Sequence, residues 1–486
     1  MLRRREFLTL SLSAAAYLFC GCSRGDGDGM MSGGMGSTSS DLANFSIPNF
    51  TDLLKVAPLL EGNNISGVLH FDLSVQKGSV NFFQESSTNT FGINGDFLGP
   101  TLKLKDGDNV SINYTNNLDE ATTMHGHGMH LPANMDGGVH QVIESGGSWS
   151  AVYTVKQTAC TNWYHPHLMG KTAEHVYKGL AGMMIIEDTQ SVSLDLPKTY
   201  GVDDIPLVLQ DRFFDANGEF KYSPSMMEVM RGYNGDIFLV NGGINPYVEL
   251  PSKEVRLRVL NGSNSTVYTL GFDDGRSFKQ IATDNSFLES PVSVSSVVLS
   301  PGERAEIVVD FTNESGKSLY FKELSQNKNF LKIEVVATQL QATLTPNTLT
   351  SLTKYTSQDA INSRTFSLSG SMGNFYINGV SMDKNVINER VPINQVEIWE
   401  VSNDMMVNHN FHIHGTHFFI AQRNGSSVNV VENEKGYKDT VLIPPNESVT
   451  LLVKMTDYAD SVNPYMYHCH FLEHEDAGMM GQFVVE

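Results

Sequence analysis

The stretch His468-Cys469-His470-Phe471-Leu472-Glu473-His474-Glu475-Asp476-Ala477-Gly478-Met479 decides how the chain is read. A cysteine, a histidine five residues on and a methionine five further supply three of the four donors of a blue-copper electron-transfer site, which needs two imidazoles, a thiolate and a weak thioether. The second imidazole must come from elsewhere. Side chains alternate along a strand, so His468 and His470 would share one face and Cys469 would take the other. A copper on Cys469 then sits back to back with metals on the flanking histidines.

Further out, the His-x-His spacing recurs at His125/His127, His165/His167, His412/His414 and His468/His470. Fifteen histidines scattered over 486 residues would give about half of one such pair. With His409 and His474 these pairs account for ten of the fifteen. Removing His409, Cys469, His474 and Met479 as one mononuclear site leaves eight imidazoles, enough for three more ions held as two, three and three. Spacing alone leaves that partition open, because such a pair can chelate one ion or bridge two.

The runs His125-Gly126-His127-Gly128, Trp163-Tyr164-His165-Pro166-His167, His409-Asn410-Phe411-His412-Ile413-His414-Gly415 and His468-Cys469-His470 through Met479 resemble the four signatures of the multicopper oxidases. The likeness is greatest to bacterial copper-efflux oxidases and laccases, and it covers the chain from about residue 50 onward. The resemblance implies four copper ions. A type 1 copper would take His409, Cys469, His474 and Met479; a type 2 copper would take His125 and His412. A type 3 pair would take His127, His165, His167, His414, His468 and His470. It also implies proton-delivery roles for Asp136 and Glu475, whose ordinary readings are a turn residue and a solvated face. Gly126 stands where the family usually has tryptophan, which would open space beside the type 2 copper, and Asn410 replaces a usual proline. His70, His130, His140, His175 and His417 fall outside the motifs and read as structural or surface residues.

Ile93-Asn94-Gly95, Val240-Asn241-Gly242 and Ile377-Asn378-Gly379 recur at spacings of 147 and 137 residues. Alternating strands follow at Val110-x-Ile112-x-Tyr114, Val255-x-Leu257-x-Val259 and Val396-x-Ile398, and turns at Pro301-Gly302-Glu303 and Pro444-Pro445-Asn446 precede further alternation. Such a length exceeds one core, and short period-two strands between turns predict three antiparallel Greek-key β-sandwiches, which the resemblance makes cupredoxin-like domains in an all-β chain. The expected divisions are an export signal at 1–22, a tether at 23–45, domains at 46–190 and 200–338, a linker at 339–365 and a last domain at 366–486. The interval from His175 to His409 contains no further histidine, so the middle domain would be a spacer while its neighbours meet to complete the histidine set.

Arg3-Arg4-Arg5-Glu6-Phe7-Leu8 ahead of an apolar stretch too short to span a membrane resembles a twin-arginine export signal, which places the protein in the periplasm. Phe19-Cys20-Gly21-Cys22 loosely resembles a lipoprotein box, with Cys22 as the residue that would carry a lipid anchor. The following Gly, Ser, Asp and Met residues read as a flexible tether. Cys160 is left without a partner and reads as a buried thiol. With 33 basic and 54 acidic residues the formal charge is −21, which argues against nucleic acid as a partner. We expect a monomer.

Dioxygen is the expected acceptor, because four coppers store the four electrons that its reduction to water requires, and the Cys469 backbone joins His468 and His470 directly. The donor is less legible. Copper-efflux oxidases carry a methionine-rich insertion before the last domain, whereas Thr338 to Gly370 contains no methionine. Soft sulfur suited to Cu(I) occurs instead at Met405 and Met406, which with Asp404 form the expected substrate site beside His409, and at Met226 and Met230 on a short helix opened by Ser223-Pro224. The expectation is oxidation of Cu(I) in copper tolerance, with phenols also accepted. The alternatives are a laccase-like phenol oxidase, an Fe(II) oxidase, or a non-enzymatic copper-binding or structural cupredoxin protein.

Overall fold

Each Asn-Gly step is a turn in the left-handed backbone region, with φ of 54° at Asn94, 49° at Asn241 and 56° at Asn378. Asparagine tolerates that region where bulkier residues do not. Its side chain then clamps the neighbouring strand in the same way three times. The carbonyl accepts from the N–H of Ser74, Val208 or Ser367, and the amide donates to the carbonyl two residues earlier, on Asp72, Pro206 or Thr365. The computed structural model describes residues 39–84, 86–338 and 340–486. The export segment with Cys20 and Cys22, and Met30, Met31 and Met35, lie outside the described residues.

Three β-sandwiches follow one another. The first has one sheet built on Val68–Val80, Asn109–Asn116 and Ser148–Thr154 and a second containing Thr101–Lys105, Gly182–Glu187, Cys160–His165 and His125–His127. The middle one pairs a seven-stranded with a five-stranded sheet, and the last pairs two five-stranded sheets. Each encloses its own apolar core, around Phe71 and Ile112, Leu257 and Phe321, and Trp399 and Phe411. Strand Ala360–Ser371 of the third sandwich begins within the stretch read as linker, 339–365.

The sheets are mixed rather than antiparallel. In every repeat the first long strand runs parallel to the strand that alternation marked: Val68–Val80 with Asn109–Asn116, Asp204–Arg212 with Glu254–Asn261, and Ala360–Ser371 with Val396–Asn403. A crossing connection in place of a hairpin returns the chain in the same direction. The third repeat also departs from the expected alternation. Its core face carries Glu397, Trp399 and Val401, while Ile398 is only half-buried. The buried Glu397 is held by Arg364 and by the Trp399 indole N–H.

A second threefold device, absent from the sequence reading, ends those strands. Asn116, Asn261 and Asn403 each donate twice from the amide, to Glu120 and Ile143, to Thr266 and Leu299, and to Val407 and Ile443. Each also accepts from the N–H two residues on, at Leu118, Ser263 or Met405. These bonds fix the loops that lead into His125 and His409. Both histidine-bearing strands then pair in register, His125 opposite His165 and His412 opposite His468.

Candidate metal centre

Two clusters of donors form where the first and third sandwiches meet and within the third. The His125, His127, His165, His167, His412, His414, His468 and His470 side chains are all at most 1 % exposed. His125 stacks on His414 at 3.9 Å and His127 on His412 at 3.8 Å, each pair joining the first sandwich to the third. His167 and His414 Nε2 each approach His468 Nε2 to 3.0 Å, and His165 Nε2 lies 3.4 Å from His127 Nδ1. Metal-competent triads arise at His125/His127/His165, His125/His412/His414 and His167/His414/His468, with donor atoms within 4.8 Å of one another.

The rings are turned by bonds on their outer nitrogens. Nδ1 of His125 meets the Asp136 carbonyl (2.8 Å), that of His412 the Asp439 carbonyl (2.9 Å), and that of His414 Asp136 Oδ2 (2.7 Å). His165 and His468 use the carbonyls of Pro166 and Cys469. His127 is reversed, its Nε2 facing outward to Asp439 Oδ1 at 3.0 Å. Burial, reinforced by neighbouring imidazoles, pushes His167, His414, His468 and His470 well below the ordinary imidazole range. They are therefore neutral, with inward lone pairs. Nε2 of His125 and His412 and both nitrogens of His470 are buried without a hydrogen-bond partner. Buried polar atoms are rarely left so, and a cluster of inward, neutral imidazoles fits copper.

The second cluster is the predicted mononuclear set. Cys469 Sγ lies 3.4 Å from His409 Nδ1 and 3.8 Å from His474 Nδ1, and the two imidazole nitrogens are 3.1 Å apart. Backbone groups of Asn410 and Phe471 support the sulfur, whose thiol burial pushes up to about 12; only a bound metal would hold it as thiolate. Met479 is fully buried in the surrounding core, its carbonyl accepting from Cys469 N–H and its N–H donating to His474. Asn410 links the two centres, its carbonyl accepting from His470 N–H at 2.6 Å and its amide donating to Pro301 of the middle sandwich at 2.8 Å.

Both carboxylates read from the sequence stand behind the histidine cluster. Asp136 meets His414 and lies 3.5 Å from His125 Nδ1, and Glu475 lies 3.4 Å from His167 Nδ1 and 3.3 Å from His468 Nδ1. Neither is solvated. Burial, with Asp476 beside it, raises the Glu475 carboxyl well above the usual range. At the expected substrate site the three residues part company. Asp404 is exposed and accepts from Ser367 Oγ (2.6 Å), Met406 is 80 % exposed, and Met405 is buried with its sulfur 3.2 Å from His409 Nε2.

The space beside Gly126 is filled: a Cβ there would meet Met129 and Leu131 at 3.2 and 3.7 Å, so the expected opening is absent. The remaining histidines are structural. His130 bonds Gly415 and Asp457, His140 bonds Gln482, His175 bonds Thr122 and His417 stacks on Tyr437; His70 lies half-buried in strand Val68–Val80. Asp439 and Arg304, which reach the cluster, were not anticipated. Their one sequence signal is a charged residue opening or immediately preceding an apolar strand, at Arg304-Ala305-Glu306-Ile307 and Lys438-Asp439-Thr440-Val441.

Three multicopper oxidase family models match residues 74–191, 216–343 and 343–486. The chain is 36 % identical over 435 residues to "Multicopper oxidase mco" of Staphylococcus haemolyticus, covering 89 % of this chain and 91 % of that protein. It is 34 % identical over 449 residues to "Cell division protein FtsP" of Dickeya dadantii, covering 89 % and 92 %. Among solved structures, the laccase from Pediococcus acidilactici superposes with a TM-score of 0.84 at 34 % identity, covering 90 % of this chain and 94 % of that one. The fold, the two donor clusters and these likenesses agree, and the chain belongs to the multicopper oxidase family.

Proposed function

We propose that the protein is a periplasmic oxidase that couples oxidation of Cu(I) to reduction of dioxygen to water and serves copper tolerance, with phenols and Fe(II) as lesser donors. The observation that carries this reading is the burial of both type 1 imidazoles. His409 and His474 are at most 1 % exposed, and the outward nitrogen of His409 is covered by the Met405 thioether. A planar phenol needs an open imidazole edge, whereas a soft cation needs a carboxylate and sulfur leading inward. Asp404 and exposed Met406 supply the outer pair, and Met405 bridges to the ligand.

Copper, when bound, supplies one-electron transfer and the reduction of dioxygen. The chain's own residues orient the imidazoles and hold protons. Glu475, kept protonated by burial behind His167 and His468, is the proposed proton donor on that side of the cluster, and Asp136 serves behind His414 and His125. The complete donor set favours an enzyme over the role in cell division that the name of the Dickeya relative carries.

The deciding experiment compares oxygen uptake with Cu(I), Fe(II) and a phenol in the parent and in a variant carrying Asp404→Ala, Met405→Leu and Met406→Leu. Cu(I) kcat/KM should fall at least tenfold, about 1.4 kcal/mol, with phenol turnover little changed or raised. A parallel loss for all donors, or none for Cu(I), would remove the Cu(I) assignment.

A further inference from the structure

The middle sandwich brings no imidazole, yet its Pro301-Gly302-Glu303 turn touches the histidine cluster. A Cβ on Gly302, at φ +85°, would come within 3.1 Å of the His470 ring and 3.2 Å of His127. Only bare backbone fits there. The turn delivers Arg304, which is 1 % exposed, to the junction of all three sandwiches.

Its guanidinium grips Asp439 of the third sandwich through two parallel bonds, Nη2 to Oδ2 at 2.6 Å and Nη1 to Oδ1 at 2.8 Å. Nε donates to the Thr161 carbonyl at 2.9 Å and Nη2 to Asn162 Oδ1 at 2.7 Å, both in the first sandwich. Asp439 in turn takes His127 Nε2 on its side chain and His412 Nδ1 on its carbonyl. One residue thus sets a ring from each of the two ligand-bearing sandwiches, and those rings stack at 7°.

His127 is the ring turned opposite to His125, His165, His412, His414 and His468. With Nε2 outward, its inward donor is Nδ1, and that orientation depends on the acceptor oxygen that Arg304 holds behind it. We propose that Arg304 is a positioning residue for the histidine cluster: through Asp439 the middle sandwich fixes the orientation of His127 and so the copper that this ring helps to hold. The planar fork of arginine matches a carboxylate at two points, which the single ammonium of lysine does not. The inference rests on the copper reading of the cluster.

The test uses the full-length, copper-loaded chain with Arg304→Gln, Arg304→Lys and Asp439→Asn. Copper per chain is followed during dialysis against a chelator, with the electron paramagnetic resonance of the type 2 ion, the near-ultraviolet absorption of the type 3 pair and the visible absorption at Cys469 read in parallel. Arg304→Gln and Asp439→Asn should lose cluster copper at least about tenfold faster than the parent and alter the type 2 and type 3 signals, the size expected when a ligand's outer hydrogen bond is removed. The Cys469 absorption should persist. Arg304→Lys should be intermediate.

Parental copper retention and spectra in folded Arg304→Gln would overturn the proposal, even with a lower unfolding temperature, because Arg304 would then be a staple only. If Arg304→Gln does not fold, Asp439→Asn, which keeps the size of the side chain, decides in the same way. A parent that binds no copper at the histidines would remove the copper reading and this inference together. Parental copper with unaffected variants removes the inference alone.

Discussion

Met372 occupies the turn between strands Ala360–Ser371 and Asn374–Ile377 at φ +50°, with its side chain 80 % exposed. Of the fourteen non-glycine residues with positive φ among the described residues, nine are asparagine. An exposed methionine in the left-handed region costs about 1 kcal/mol with no packing to offset it. Met372→Asn should therefore raise the stability of the apoprotein by about 1 kcal/mol, seen as a higher denaturant midpoint at unchanged slope. A lower midpoint would show that the methionine contributes contacts its exposure conceals. At this scale the ligands were legible because each motif is local, whereas Arg304 and Asp439 were not, since their bond joins residues 135 apart in the chain. Glu397 was missed for a related reason: its partner Arg364 lies on another strand, so a carboxylate on a core face looked like an outward one.

Among the elements, the helix Met226–Arg231 of the middle sandwich packs over the core that encloses the second donor cluster. Ser225 caps it by accepting from Glu228 N–H, while the Glu228 carboxylate accepts from Ser225 N–H, so the helix begins later than the Ser223-Pro224 signal suggested. Val229 and Met230 pack on the core that contains Met405, Phe375 and Met479, and the Val229 carbonyl stands beside the His474 ring outside hydrogen-bond geometry. Met226 remains 62 % exposed, and Met230 sulfur accepts from Gly373 N–H at 3.3 Å. The helix covers the His474 imidazole, a type 1 ligand in the proposed reading. Replacing Val229 and Met230 with alanine should raise phenol kcat/KM by at least about threefold and leave Cu(I) oxidation within a factor of about two, at a stability cost of about 1–2 kcal/mol. Equal changes for both donors would mean that the helix does not govern access. The existence of the strands in each repeat was predictable from alternation, though not the inward face of the third; their parallel pairing was not, because it depends on crossing connections that leave no periodic trace.

Across the whole molecule, the balance of buried titratable groups makes acid the direction of weakness. Burial lowers eleven imidazoles below the ordinary value of 6.5: His127, His165, His167, His175, His409, His412, His414, His417, His468, His470 and His474. Below about pH 6.5 the unfolded chain binds protons that the folded apoprotein refuses, so each imidazole withdraws up to about 1.4 kcal/mol per pH unit as pH falls. Five buried carboxyls act oppositely. Glu475 and Asp211 are raised, Glu473 and Asp476 reach about 7 and Asp284 about 6, so the folded state binds the extra protons and their contribution declines as pH rises from about 4 to about 7. Imidazoles outnumber them, and the net slope below pH 6.5 is loss of stability with acid. Calorimetry of the apoprotein between pH 5 and 8 should give an unfolding temperature nearly level above pH 7 and falling steeply below about 6.5. Copper loading should move that fall to lower pH, because bound metal competes with protons for the same nitrogens. An apoprotein curve that stays level down to pH 5 would mean that the cluster takes up protons while folded, and a holoprotein curve coincident with it would mean that these nitrogens hold no metal.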